Sequence, residues 1–192
     1  MQRLLYEEER GKVKNNLLKY KNIAVSGKNI ASGSTTLAEL LAEKLGWRFS
    51  SVGDVMRQHC KEIGWPIERY HEIPDEMDRE IDRKAREMLE NKEGIVHEGW
   101  LAGWLARDLP HVFRVLCVAP LAVRIKRFAQ REDESLAEAR RKVLFRDKTT
   151  VEKHQRLYKI KNQFDPCYFN LIIKTDQMTP EEEVKLVLKK MI

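Results

Sequence analysis

The sequence predicts an α/β fold, a three-layer sandwich in which a mainly parallel sheet is flanked by helices. Short apolar runs alternate with helical patterns along the chain, and the first run leads through a glycine- and hydroxyl-rich loop into a helix. Two strongly basic helical segments follow in the second half. Strands that alternate with helices pair in parallel, because each helix carries the chain back across the sheet.

The apolar runs predict five strands, near residues 22–26, 48–51, 95–99, 112–119 and 170–174. The fourth run is almost continuously apolar, which is typical of a strand covered on both faces, and the fifth repeats the pattern. Helical patterns separate the strands, at 35–45, 53–64, 75–91, 120–131 and 135–160. A last helix begins after Thr179, where an N-cap, Pro180 and the N3 acid Glu182 form a capped start.

The composition is typical of one folded, soluble domain, with 42% apolar and 34% charged residues in a chain of 192. We expect a single domain over residues 21–192 and a helical extension over residues 1–20. No apolar run approaches the roughly 20 residues that cross a bilayer, and the amino terminus lacks the apolar segment of a secretory signal. We therefore expect a cytoplasmic protein without a membrane partner.

Charge and cysteine content narrow the possible partners. The formal charge of +6 favours anionic partners, either nucleic acid or small phosphorylated molecules. The cysteines at 60, 117 and 167 lie far apart and outside any metal-ligand spacing, so neither a disulfide framework nor a zinc site is predicted.

The loop GKNIASGSTT, residues 27–36, lies between the first strand and the first helix, where a phosphate-binding Walker loop lies. Five residues separate its glycines instead of four, and Ser34 occupies the lysine position. If residues 33–35 correspond to the end of the Walker motif, we expect Thr35 to supply a hydroxyl to Mg²⁺ and Lys28 or downstream arginines to supply the missing charge. The alternative is a Ser/Gly-rich turn that only caps a helix. The predicted nucleotide-binding residues are Gly27, Lys28, Asn29, Ile30, Ala31, Ser32, Gly33, Ser34, Thr35 and Thr36.

Three further segments carry candidate ligand-binding residues. Asp54 and Arg57, three apart at a helix start, can orient a polar ring and grip a phosphate, or form an ordinary surface pair. Glu98 ends a predicted parallel strand, where open α/β sheets bind ligands, and Gly99 and Gly103 would admit a ligand. The alternatives are a hydrated carboxylate and turn glycines. The acidic and basic run 78–83 is compatible with an exposed helix face.

The basic helices predict a lid. Arg124, Arg127 and Arg131 form one cationic stripe, and Arg146 lies in the next basic segment. A basic lid supplies charge to a transferred phosphoryl group and excludes water, which favours a P-loop kinase sandwich with a basic helical lid. A hydrated basic face is the alternative. An RNA-binding face is a third reading, but few aromatic residues are interleaved for base stacking.

Five segments in order resemble the cytidylate kinase family, in its archaeal-type, cytidylate kinase-like branch of P-loop nucleoside monophosphate kinases. The resemblance covers about 22–190. Its anchors are the phosphate loop at 26–36, an SAGDxxR element at 51–57, an EIDREIDRR element at 76–84, an EGRLAGW element at 98–104 and an APLxVRxxRxxxRE element at 119–132.

The resemblance implies transfer of a phosphoryl group from ATP with Mg²⁺ to CMP or dCMP, without a covalent nucleophile. It assigns Asp54 and Arg57 to the monophosphate pocket and places Asp82 and Arg83 near the cytidine. The residues that it implies for the lid and catalysis, beside the candidate Lys28, are Arg127, Arg131 and Arg146. We expect these nucleotides as partners, no nucleic-acid partner, and a monomer.

Two departures from the family pattern leave alternatives open. Trp100 follows Glu98-Gly99 where the family has arginine, and the phosphate loop has an extra residue and Ala31 in place of glycine. The alternatives are a kinase for another small phosphate acceptor and a catalytically weak nucleotide-binding regulatory protein.

Overall fold

The computed structural model describes residues 18–192 and contains a five-stranded sheet in the order β2-β3-β1-β4-β5. All neighbouring strands are parallel. The strands are β1 Asn22–Gly27, β2 Arg48–Ser51, β3 Ile95–Glu98, β4 Val112–Val118 and β5 Leu171–Lys174. The predicted fold class is confirmed.

All helices but the last connect consecutive strands, as parallel pairing requires, and the last follows β5. They are α1 Ser34–Leu45, α2 Val52–Glu62, α3 Asp75–Asn91, α4 Ala102–Leu105, α5 Leu121–Glu132, α6 Leu136–Tyr158 and α7 Pro180–Met191, with 3₁₀ turns at Ile67–Glu72 and Pro166–Tyr168. Helix α1 ends at Gly46, whose φ of 66° is left-handed, as the sequence indicates. Helix α7 begins with the expected capping box between Thr179 and Glu182.

Two apolar layers cover the sheet on opposite faces. Ile23 and Val25 of β1 pack with Leu37 and Leu41 of α1 and with α7 on one face. Ala24, between them in sequence, packs with α3 and α4 on the other. Every residue of β1 is buried, so the central strand forms a rigid base for the loop that follows it.

Strand β5 differs from the expectation of a strand covered on both faces. Ile173 is 1% exposed, whereas Ile172 is 43% exposed. The cause is position, because β5 is the last strand in the sheet order and pairs with β4.

The predicted extension over residues 1–20 lies mostly outside the described residues. Leu18 and Tyr20 pack against the core, and the Lys19 N–H donates to the Met191 carbonyl oxygen at 2.9 Å. None of the helices in residues 18–192 is both long and apolar enough to span a membrane.

Candidate active site

The phosphate loop emerges from the centre of the sheet. Strand β1 lies between β3 and β4, so the loop begins beside the carboxyl ends of parallel strands, where ligands bind in open α/β sheets. A Cβ on Gly27 would lie 2.6 Å from Ser32 Oγ and 2.7 Å from Ser34 Oγ. The loop therefore folds back over the end of β1 and leaves no room for a side chain there.

The loop reverses direction through three left-handed residues, Asn29 (φ 76°), Ala31 (φ 59°) and Gly33 (φ 92°). This conformation is unfavourable for residues that carry a Cβ, so Asn29 and Ala31 are held there by their surroundings. Helix α1 begins directly afterwards at Ser34. The loop thus leads into a helix N-terminus, which favours an anion.

Two cavities lie against the loop. The smaller, about 120 Å³, is bounded by the loop, the start of α2, the β3–α4 connection, α3 and α6. The larger, about 360 Å³, is bounded by the loop, α5 and the segment that leads from β5 into α7. Both are lined by Ala31, Ser34, Thr35 and Arg131. Ligands in the two cavities would therefore meet at the loop.

Arg127 lines the larger cavity and is fixed against its wall. Its guanidinium donates to the carbonyl oxygen of Thr175 at 2.7 Å and to Thr175 Oγ1 at 2.8 Å. Thr175 Oγ1 in turn donates to the Ser32 carbonyl oxygen at 2.8 Å. Glu183 lines the same cavity, and burial raises its pKa to about 7. This cavity combines fixed positive charge with the phosphate loop.

Glu98 lies at the end of β3 and receives hydrogen bonds on both carboxylate oxygens. Ser34 Oγ donates to Oε1 at 2.8 Å, and Ser51 Oγ donates to Oε2 at 2.9 Å. Burial raises the pKa of Glu98, and the two hydroxyl groups act against that rise. The first turn of α1 and the end of β3 therefore present hydroxyl and carboxylate oxygens at the same place.

Carboxylates from α3 form the far end of the smaller cavity. The Tyr70 hydroxyl donates to Asp78 Oδ1 at 2.9 Å, and Lys153 Nζ lies 2.5 Å from Asp78 Oδ2. Tyr158 donates its hydroxyl hydrogen to Asp82 Oδ2. Burial raises the pKa of Asp82 to about 6. Asp78 is thus neutralised by a buried lysine, whereas Asp82 has a neutral hydroxyl donor.

His154 adds a further hydrogen-bond acceptor at this end. Burial lowers its pKa to about 4, so the imidazole is neutral at pH 7. Its Nδ1 lies 2.9 Å from the amide oxygen of Gln163, which only accepts, so Nδ1 carries the hydrogen. Nε2 is then an acceptor, 3.5 Å from the Tyr70 hydroxyl. The far end of the cavity presents acceptors in Asp82 and His154.

Most of the predicted site residues line one of the cavities. In the smaller cavity these are Asn29, Ile30, Ala31, Ser34, Thr35, Arg57, Asp82, Glu98, Gly99, Arg131 and Arg146. In the larger cavity they are Ala31, Ser32, Gly33, Ser34, Thr35, Thr36, Arg127 and Arg131. Gly27 lies under the loop, as described above.

Four predicted residues lie elsewhere. Lys28 is exposed, and its N–H donates to the Cys117 carbonyl oxygen at 2.8 Å. Asp54 forms an exposed ion pair with Arg57. Arg83 is exposed and pairs with acidic residues on the outer face of α3, because adjacent helical residues point about 100° apart and Asp82 takes the inner face.

Gly103 is the fourth, and it has a packing role. A Cβ there would lie 2.2 Å from a ring carbon of Phe169, and the Gly103 N–H donates to Ser26 Oγ at 2.9 Å. Glycine at this position lets α4 lie close to the phenyl ring, which is a different reason from the admission of a ligand.

Sequence reasoning missed Tyr70, Asp78, Lys153 and His154. Asp78 precedes Asp82 by one helical turn, so the spacing i, i+4 could have identified both as members of one face. Tyr70 and His154 are 84 residues apart in the chain, and no local pattern joins them.

Trp100, which replaces an arginine of the family pattern, lines the smaller cavity and packs below the loop. It contacts the apolar cluster that contains Ile30 and Phe128. Its ring centroid lies 6.3 Å from that of Phe164, with the rings tilted. Much of this side chain therefore serves packing.

Comparison with known proteins gives matches over most of the chain. Residues 22–177 match the cytidylate kinase-like family. The cytidylate kinase of Natronomonas pharaonis is 36% identical over 162 residues, 83% of each chain. That of Archaeoglobus fulgidus is 34% identical over 170 residues, 87% of this chain and 92% of the relative. That of Pyrococcus horikoshii is 37% identical over 163 residues, which cover 83% of this chain and 82% of the relative.

Solved structures share the fold at low identity. A shikimate kinase from Acinetobacter baumannii has a TM-score of 0.56 at 18% identity, over 91% of this chain and 94% of that one. A gluconokinase from Sinorhizobium meliloti has a TM-score of 0.59 at 15% identity, over 91% of this chain and 92% of the gluconokinase. These likenesses support the kinase sandwich as the fold.

Proposed function

Because the chain belongs to the cytidylate kinase-like family, we propose that it transfers the γ-phosphate of ATP to CMP or dCMP. Membership makes the chain an ATP-dependent phosphotransferase of the nucleoside monophosphate kinase class. The observation that carries the proposal is the pair of cavities that meet at one phosphate loop. Phosphoryl transfer needs the donor and acceptor held in line across such a boundary.

We assign ATP to the larger cavity. The loop main chain and the α1 N-terminus favour the donor phosphates, and Arg127 is already fixed beside them. In this proposal the loop residues 31–36, which line the larger cavity, keep their predicted role in ATP binding, whereas Asn29 and Ile30 line only the smaller one.

We assign the monophosphate to the smaller cavity, with its base at the carboxylate end. Asp82 and His154 present acceptors there, so the base should carry an exocyclic amino group. Cytosine has an amino group at position 4, whereas uracil has an oxygen. An unpaired buried acceptor costs about 1–3 kcal/mol, which favours CMP or dCMP over UMP. Arg57, which also lines this cavity, is assigned to the monophosphate phosphate.

Positive charge at the transferred phosphoryl group comes from arginines in this proposal. Arg131 lines both cavities, and Arg146 lines the smaller one. They replace the charge of the absent Walker lysine, since Ser34 at that position donates to Glu98. A phosphate oxygen of the acceptor attacks, and positioning with charge neutralisation lowers the barrier.

The residues present fit a magnesium ion. Ser34 and Glu98 bring a hydroxyl and a carboxylate oxygen within 2.8 Å of each other, and Thr35 lines both cavities beside them. Hard oxygen ligands of this kind suit Mg²⁺. When bound, the ion would neutralise charge on the donor phosphates. We propose Thr35 as a ligand, with Ser34 and Glu98 as neighbouring oxygen groups.

A coupled assay of ADP formation tests the proposal with ATP and Mg²⁺ against CMP, dCMP, UMP and AMP. We expect turnover of CMP or dCMP with a kcat/KM at least tenfold above that of UMP. If UMP or AMP is preferred, the assignment of the base end is wrong.

A second candidate function is nucleotide binding without transfer. It is favoured by the loop itself, in which Lys28 is exposed and Ser34 replaces the usual lysine. Clear ATP binding without ADP formation with any acceptor, including small polyols and sugars, would support this function and exclude the kinase proposal.

A further inference from the structure

A buried ion pair binds both main-chain polar groups of one phosphate-loop residue, Ile30. Its N–H donates to Asp147 Oδ1 at 3.1 Å, and its carbonyl oxygen accepts from Arg124 Nη1 at 3.2 Å. Arg124 Nη1 also lies 2.7 Å from Asp147 Oδ2, and the two side chains are 7% and 12% exposed. One residue of the loop is thus fastened to α5 through Arg124 and to α6 through Asp147.

The side chain of Ile30 is fastened to the same helices. It is 6% exposed and belongs to an apolar cluster with Phe128 of α5 and Val143 of α6. Ile30 lies between Asn29 and Ala31, which both have left-handed φ angles. Such residues persist only where the surrounding structure holds them. The loop therefore depends on the Ile30 contacts for its shape.

Helix α6 connects the contacts of Arg124 and Asp147 with Ile30, which we call the loop clamp, to the smaller cavity. Asp147 follows Arg146 directly, and Thr150 and His154 lie one and two turns further along the helix. Arg146, Thr150 and His154 all line the smaller cavity. A shift of α6 that brings these residues toward a ligand therefore also moves Asp147, and with it the loop that lines the larger cavity.

We propose that Arg124 and Asp147 are positioning residues that hold the phosphate loop in its donor-binding shape and couple donor binding to acceptor binding through α6. This inference rests on the proposed function for its assignment of the two ligands. Each ligand stabilises the same arrangement of loop and helix, so each should raise the affinity for the other by the same factor.

Calorimetry on the full chain tests the proposal. The affinity for a non-hydrolysable ATP analogue with Mg²⁺ is measured with and without CMP, together with the separate KM values for ATP and CMP. We expect Asp147→Ala to weaken analogue binding at least tenfold and to abolish the increase caused by CMP. The calorimetric affinity for CMP without a donor nucleotide should change less than threefold, whereas the KM for CMP at saturating ATP should rise by the factor by which CMP raises analogue affinity in the wild type.

Asp147→Asn is the milder variant, because the amide oxygen can still accept from the Ile30 N–H while the charge opposite Arg124 is lost. We expect an intermediate loss of analogue affinity. Arg124→Lys keeps the charge but removes the planar guanidinium whose Nη1 contacts both Asp147 and Ile30, so it should also be intermediate. If Asp147→Ala does not fold, the analogue affinities of these two variants test whether Arg124 and Asp147 position the loop.

Asp108→Asn is the matched control. Arg86 contacts Asp108 and donates to the Leu105 carbonyl oxygen at 2.5 Å, so it also joins a carboxylate to a main-chain carbonyl. Neither Arg86 nor Asp108 lines either of the two cavities described above. Analogue affinity and its dependence on CMP should stay within twofold of wild type.

The outcomes separate the clamp from the proposed function. If the Asp147 and Arg124 variants melt at lower temperature but bind the analogue with wild-type affinity, the ion pair is only structural and the inference is wrong. If the wild type binds the analogue but phosphorylates no acceptor, the proposed function is wrong. The analogue affinities of the wild type and the variants still test whether the loop clamp holds the phosphate loop. A wild type that binds no analogue overturns both.

Discussion

The substitution Asp82→Asn is expected to stabilise the protein at neutral pH and to impair it as a kinase. Burial raises the pKa of this carboxyl from 3.8 to about 6. The native state therefore holds the proton more tightly than the unfolded state. Below about pH 3 the carboxyl is protonated in both states. As the pH rises from about 4 to 6 the unfolded state ionises while the native carboxyl keeps its proton, so stability is lost, and the loss is complete by about pH 7.

The size of the effect follows from the two pKa values. A difference of about 2 pH units corresponds to about 3 kcal/mol at 25 °C. Asparagine does not titrate and can keep the hydrogen bond from Tyr158 through its amide oxygen. The free energy of unfolding of the variant, minus that of wild type, should therefore rise by about 2.5 kcal/mol between pH 4 and pH 7, since about 0.5 kcal/mol of the full difference lies below pH 4.

Urea unfolding at several pH values, on both proteins in the same buffers, measures this difference. The subtraction removes the other titrating groups, which the two proteins share. In the coupled assay at pH 7.5 the same variant should lose at least tenfold in kcat/KM for CMP, because a charged hydrogen bond contributes about 1.5–3 kcal/mol. Parallel stability curves across this pH range would refute the burial argument, and unchanged kinetics would remove Asp82 from the site.

Three further predictions concern other parts of the site. Arg131→Ala should lower kcat at least a hundredfold, because this side chain lines both cavities. Lys28→Ala, at an exposed position, should leave kcat within threefold of wild type. Steady-state kinetics compare the two variants, and a larger loss for Lys28→Ala would contradict the assignment of the charge to Arg131. Arg57→Ala should raise the KM for the monophosphate and reduce kcat/KM at least tenfold, about 1.4 kcal/mol, and unchanged kinetics would exclude a phosphate contact. Gly103→Ala should destabilise the fold by about 1–3 kcal/mol, because its Cβ would lie 2.2 Å from the Phe169 ring. Thermal unfolding measures this loss of stability. Adding Phe169→Leu to the Gly103→Ala variant should restore part of it.

Local patterns were sufficient for the individual strands and for the position of the loop between β1 and α1. Strand β1, the loop and α1 are consecutive, so apolar runs, Gly46 and the hydroxyl-rich segment predict their order and type. The exposed face of β5 did not follow from its residues. A strand of the same composition is covered at the centre of a sheet and half exposed at the edge, and only the strand order decides which.

Some predicted site residues line the cavities, whereas others lie elsewhere. The resemblance to the family predicted Asp82 and Arg131, which line the cavities, but also Arg83, which faces solvent. Helical geometry explains why Asp82 and Arg83 lie on different faces, because neighbouring residues in a helix point about 100° apart. Gly103 was predicted to admit a ligand, whereas the structure gives it a packing role against the ring of Phe169, which lies 66 residues further along the chain.

The sequence by itself determined the α/β class, the order of its elements and the position of the phosphate loop, because these depend on periodicity and on residues that are neighbours in the chain. Only the tertiary structure decided what surrounds the loop. The Arg124–Asp147 clamp on Ile30 and the acceptors formed by Asp82 and His154 join residues from separate helices. Burial then changes their chemistry, since a carboxyl or an imidazole removed from water has a shifted pKa that no local pattern encodes.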